Sequence, residues 1–111
     1  MNLSISTEAR EDASIMHVGG DLDVYTAPQL KEALDSAGEG GKTTVLDLSD
    51  VHFIDSTALG VLVSTLQQMR STDARFYLVL DDPYLLKIFR ITGFDSLFSI
   101  YPQVEDALAA V

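Results

Sequence analysis

Ser56 and Thr57 follow Asp55 where the apolar pair Phe53-Ile54 gives way to the helical pattern of ALGVLVSTL. Two hydroxyls beside a carboxylate at such a junction admit two kinds of chemistry. One is helix capping, in which a single side-chain oxygen accepts an orphan backbone N–H and contributes about 1 kcal/mol. The other is phosphoryl acceptance. A phosphate on Ser56 adds about −1.5 to −2 charges and three acceptor oxygens. Free N–H groups and the positive end of the helix dipole offset part of that charge, so the fold need not be lost. One capping oxygen is enough for a helix, yet three polar residues stand together here.

Other chemistries find less support. Ser56 lies in I-D-S-T-A, without the glycines of a nucleophile elbow. His17 and His52 are the only histidines, and a lone strand histidine is more often packed or solvent-facing than a general base. With no cysteine and two distant histidines, an ordinary zinc site is excluded. Asp21 and Asp23 lack the loop pattern of a calcium hand, and Asp81 and Asp82 before Pro83 read as acids at a helix N-terminus. The GEGG segment lacks the lysine and spacing of a phosphate-binding loop. No cofactor is implied.

These residues need elements to position them. LSIS (3–6) and SIMHVGG (14–20) alternate apolar and polar side chains, which predicts adjacent antiparallel strands. Thr26 followed by Gln29 matches a capping box, Pro28 suits a first turn, and Leu30, Ala33, Leu34 and Ala37 recur at helical spacing. Gly38 is expected in the left-handed position that ends this helix. TTVLDLS (43–49) and RFYLVLDD (75–82) read as strands covered on both faces. Leu59, Leu62, Leu66 and Met69 form one face of a helix running to about Arg70. PYLLKIFRITG (83–93) is a short helix between proline and glycine, SLFSIY a short strand, and PQVEDALAAV a final helix. Strands followed by alternating strand and helix predict an α/β fold with a small mixed sheet and about four helices.

Composition narrows the class of partner. The 111 residues hold 7 basic and 17 acidic side chains, a net charge of −10. This weighs against nucleic acid, which needs clustered lysine and arginine, and against anionic membrane surfaces. It suits a basic protein partner. The start MNLSISTEAR lacks the basic and apolar regions of a secretory signal, and no apolar stretch approaches the roughly 20 residues needed to cross a bilayer. The expectation is a soluble, cytoplasmic domain spanning residues 1–111, without repeats or linkers.

The order GDLDVYTAPQLKEAL, VLDLSDVHFIDSTALGVLVSTL and LLKIFRITGFDSLFSIYPQVEDAL resembles the bacterial anti-sigma factor antagonists of the STAS domain family along nearly the whole chain. D-S-T-A-L-G-V-L at 55–62 is the most specific element, supported by G-D-L-D near 20–23 and I-T-G at 91–93. The resemblance implies partner switching. The unphosphorylated antagonist binds an anti-sigma factor that is also an ATP-dependent serine kinase, which frees the sigma factor. Phosphorylation at the residue matching Ser56 ends the binding, and a PP2C-type phosphatase restores it. The domain is then a ligand and a substrate, not an enzyme.

By the same resemblance, Asp55 and Thr57 flank the phosphoacceptor, while Asp21, Asp23, Tyr25 and Thr26 lie near it and contribute to the partner surface. The residues themselves leave a solvated turn open for Asp21 and Asp23, and capping for Thr26. Leu59 is either core or contact, and Gly60 either contact or a site of close backbone approach. Many family members carry glycine where Ala58 stands, so this helix start is expected to be stiffer. The alternative is a STAS module that is never phosphorylated and serves as a scaffold in a larger signalling assembly.

Overall fold

A computed structural model describes residues 3–111. Strand β1 (Leu3–Ala9) turns back through Arg10, whose N–H reaches the Ala13 carbonyl at 2.8 Å, into β2 (Ala13–Leu22). The two pair antiparallel, from Leu3 opposite Gly20 to Ala9 opposite Ser14. From there the chain repeats strand, helix, strand: α1 (Ala27–Ala37), β3 (Thr43–Ile54), α2 (Ser56–Arg70), β4 (Phe76–Val79), α3 (Pro83–Thr92), β5 (Ser99–Tyr101) and α4 (Val104–Ala109). The sheet order is β1-β2-β3-β4-β5, with every pair after the first parallel. This is the expected α/β architecture, a five-stranded mixed sheet with four helices.

Right-handed crossovers between sequential parallel neighbours put their helices on the same face of the sheet. Accordingly Leu30 and Leu34 of α1, Leu62 and Leu66 of α2, and Leu85 and Phe89 of α3 share one core with Met16, Val18, Leu46, Leu48 and Leu78. The alternate strand residues Ile15, Val45, Tyr77 and Val79 point the other way and meet Ala107 of α4. Among the described residues no helix is long and apolar enough to cross a membrane.

Three local expectations are corrected. Gly38 is right-handed (φ −86°), and the positive φ values fall on Gly40 and Gly41 instead. A Cβ at Gly38 would stand 2.9 Å from the Met69 Cε, the movable end of a flexible side chain. Strand β3 runs five residues past Ser49 to Ile54. Its pairing with β4 ends at Asp47 opposite Val79, and its far end is held by β2 alone, across two register shifts. Strand β4 stops at Val79 because Asp82 already caps α3, accepting the Tyr84 N–H at 2.8 Å.

Candidate functional site

Strands β2 and β3 end side by side, with Asp21 opposite Phe53 and Leu22 opposite Ile54. Two connections leave from this edge, the turn 23–26 into α1 and Asp55 into α2. Asp55 joins them. Its N–H donates to the Leu22 carbonyl at 3.0 Å. One carboxylate oxygen accepts the Ala58 N–H and the other the Val24 N–H, each at 3.0 Å. Asp55 is therefore the N-cap of α2 and, at the same time, the tether of the neighbouring turn.

Ser56 and Thr57 are left over by this arrangement. Of the amides that a helix start leaves unpaired, Asp55 has satisfied its own and that of Ala58, so the open ones belong to Ser56 and Thr57. Both side chains are exposed. Neither hydroxyl makes a hydrogen bond among the described residues. Capping is thus the work of Asp55, and the Ser56 Oγ projects into solvent beside open N–H donors at the positive end of a 15-residue helix.

The turn 23–26 is built from the inside. Asp23, 6% exposed, accepts the N–H groups of Tyr25 (2.9 Å) and Thr26 (3.0 Å) with one oxygen. The Thr26 hydroxyl accepts the Asp23 N–H at 3.0 Å and donates to the Asp21 carbonyl at 2.8 Å. The expected capping box is absent, since Thr26 has no side-chain bond into α1; its hydroxyl is spent stitching the turn. With Asp23 and Thr26 turned in, Val24 and Tyr25 are turned out, 54% and 76% exposed.

The structure sorts the sequence-predicted residues accordingly. Tyr25, Ser56, Thr57 and Gly60 lie on the surface, and Asp21 and Asp55 are half-buried. Asp23, Thr26 and Leu59 are buried, Leu59 within the main core, so they shape the surface and do not form it. A solvated turn is likewise wrong for Asp23. Gly60 has no neighbour within 4 Å of where a Cβ would be, so no backbone of this chain approaches it. Sequence reasoning missed Val24 and Phe53, the latter 42% exposed. A signal for Val24 existed in the apolar pair inside an otherwise polar turn. The segments 11–30 and 43–69 hold no lysine or arginine, which makes this an apolar surface set among acids.

Among the described residues neither histidine hydrogen-bonds Ser56. His17 Nδ1 lies 2.8 Å from an Asp47 carboxylate oxygen, and Nε2 lies 3.5 Å from Glu8. The hydrogen bond to Asp47 raises the His17 pKa above its ordinary value against the cost of desolvation, and Glu8 adds to the rise. Burial pushes Asp47 up, but the Ser49 hydroxyl and amide together with His17 outweigh it and hold the carboxyl low. Arg10, then His17, lower Glu8. His52 is exposed. Among the described residues neither ring bonds to a hydroxyl, and no group of three His, Asp or Glu is placed to hold a metal ion.

A family model for the STAS domain matches residues 4–107. The anti-sigma-B factor antagonist of Staphylococcus epidermidis is 37% identical over 106 residues, covering 95% of this chain and 98% of that protein. The protein of the same name from Staphylococcus aureus strain NCTC 8325 is 35% identical with the same coverage. The crystal structure of an anti-sigma factor antagonist from Mycobacterium paratuberculosis superposes with a TM-score of 0.91 at 31% identity, over 99% of this chain and 94% of that one.

Proposed function

Because this chain belongs to the STAS domain family, we propose that it is a cytoplasmic anti-sigma factor antagonist whose binding is switched off by phosphorylation of Ser56. The unphosphorylated form binds an anti-sigma factor that is also a serine kinase, and the sigma factor is released. The kinase transfers the γ-phosphoryl group of ATP to the Ser56 Oγ, which loses its proton. A PP2C-type phosphatase hydrolyses the ester and restores the binding form. This chain is then a regulatory ligand and a kinase substrate, and performs no catalysis.

The observation that carries the proposal is the freedom of the Ser56 hydroxyl. Asp55 does the capping, so Ser56 is not needed for the helix start, and an incoming kinase meets a side chain with nothing to break. The same geometry supports tolerance of a phosphate there. The amides of Ser56 and Thr57 and the helix dipole offset its charge within the domain, while a docked partner meets its bulk and its desolvation. Tyr25, Val24, Phe53, Thr57 and the open surface over Gly60 form the contact area, and Asp21, Asp23, Thr26, Asp55 and Leu59 set its shape. Calorimetry with an anti-sigma factor kinase tests this. Ser56→Ala is expected to bind constitutively and Ser56→Asp at least tenfold more weakly; equal affinities would leave a scaffold role in its place.

A further inference from the structure

The outer face of α3 carries apolar and basic side chains together. No acid stands between Asp82 and Asp95, as none stands between Asp55 and Asp73, but α3 alone of the four helices exposes large apolar side chains. Leu85 and Phe89 are buried, so the opposite side of α3 meets solvent. That side carries Tyr84, 55% exposed, Ile91, 72% exposed, and the exposed Lys87 and Arg90. Tyr84, Lys87 and Ile91 fall at i, i+3 and i+7, which aligns them in one stripe. Among the described residues neither Lys87 nor Arg90 forms a salt bridge, as Lys42, Arg70 and Arg75 form none, so both cations are open to a partner.

Ordinary surface chemistry covers part of this. Arg90 sits in the last turn of α3, where the helix dipole favours a cation, and a single exposed apolar side chain is common. Neither reason accounts for Lys87 between two exposed apolar groups on so acidic a protein. We propose that this face of α3 is a docking site for an acidic, amphipathic segment of a protein partner. Its carboxylates pair with Lys87 and Arg90 while its apolar side chains cover Tyr84 and Ile91.

Charge complementarity selects this occupant. An anionic membrane would have to accept a protein of net charge −10, whereas a short peptide segment meets the two cations along α3, with Asp82 and Asp95 only at its ends. The acidic exterior of α1, with Glu32 and Asp35, is a poor occupant from a second copy because α1 has no large exposed apolar side chain to cover Ile91. The inference does not depend on Ser56.

The test uses the full chain, isotope-labelled, and a synthetic helix-forming peptide with a glutamate face beside a leucine face. Saturable amide shifts confined to residues 84–91 are expected. A tenfold or greater loss of affinity is expected in Lys87→Glu/Arg90→Glu and in Ile91→Ser, with the spectra and thermal midpoint of the free variants unchanged. Should a variant fail to fold, weakening of the wild-type complex with added salt gives the same reading. Shifts that are absent, that map elsewhere, or that a lysine-faced peptide reproduces would overturn the proposal. So would binding to phosphatidylglycerol vesicles that depends on Lys87, or self-association that is lost in Ile91→Ser.

Discussion

The Asp55 carboxylate and the Val24 amide meet at 3.0 Å, across the space between the start of α2 and the turn that leads into α1. The other oxygen of the same carboxylate caps α2 through the Ala58 amide at 3.0 Å. One side chain therefore fixes the helix that carries Ser56 and the turn that carries Tyr25. The two halves of the proposed contact surface are held in register by a single residue far apart in sequence from one of them.

Replacing Asp55 separates stability from recognition only in part. Asp55→Ala loses the cap and leaves the Val24 amide without its acceptor, which costs about 1–3 kcal/mol. Urea unfolding should show a lower midpoint with an unchanged slope. Asp55→Asn keeps one acceptor oxygen and should lose less. A wild-type midpoint in Asp55→Ala would mean that the tether contributes nothing.

Ser56→Ala should shift stability by no more than about 0.5 kcal/mol, the range for surface substitutions away from a special feature. Thermal unfolding checks this. A larger loss would show that the hydroxyl serves the helix, and would remove the freedom on which the switch depends.

Gly60 tests the contact surface without disturbing the core. An added Cβ meets nothing within 4 Å, and alanine is the better helix former by about 1 kcal/mol. Gly60→Ala should therefore raise the unfolding midpoint. Gly60→Trp should fold and lose partner binding, as measured by calorimetry. Full affinity in the folded Gly60→Trp protein would exclude this face of α2 from the interface.

The His17 cluster links three strands, with Glu8 on β1, His17 on β2 and Asp47 on β3. Arg10 also faces Glu8, and Asp50 lines the small cavity beside the imidazole. His17 is raised above its ordinary 6.5. Its pairing stabilises the fold fully below that value and is lost as pH rises through the higher folded value. Glu8 and Asp47 are held below 4.5 and 3.8, so their share is present above those values and lost as pH falls. Stability from the cluster is thus greatest in mildly acidic solution and declines on the alkaline side. Thermal unfolding against pH should show that decline in the wild type and not in His17→Gln. Proton chemical shifts should place the titration of His17 above 6.5.

Much of this fold could be read directly from the sequence, because its signals are periodic. The strand read at 14–20, the helical spacing of Leu59, Leu62, Leu66 and Met69, and the Pro83 and Gly93 boundaries each mark an element that the structure contains, although 14–18 is buried on both faces instead of alternating. What failed was hydrogen bonding that no periodicity signals, some of it local and some between segments distant in sequence. Thr26 followed by Gln29 has the form of a capping box, yet the buried Asp23 diverts the Thr26 hydroxyl into the turn. The extension of β3 to Ile54 depends on pairing with β2 across two register shifts. For the site, D-S-T marked the position, and Asp55 caps α2 through Ala58 only three residues on, but its tether to the turn at Val24 joins residues 31 apart.

The most direct measurement is the intact mass of the protein after incubation with a partner anti-sigma factor kinase and ATP, with fragmentation to locate any gain and calorimetry on the product. The account predicts one phosphoryl group on Ser56, none on Ser56→Ala, and loss of kinase binding by the modified protein. An unmodified chain in a complex that stays intact in ATP would contradict it.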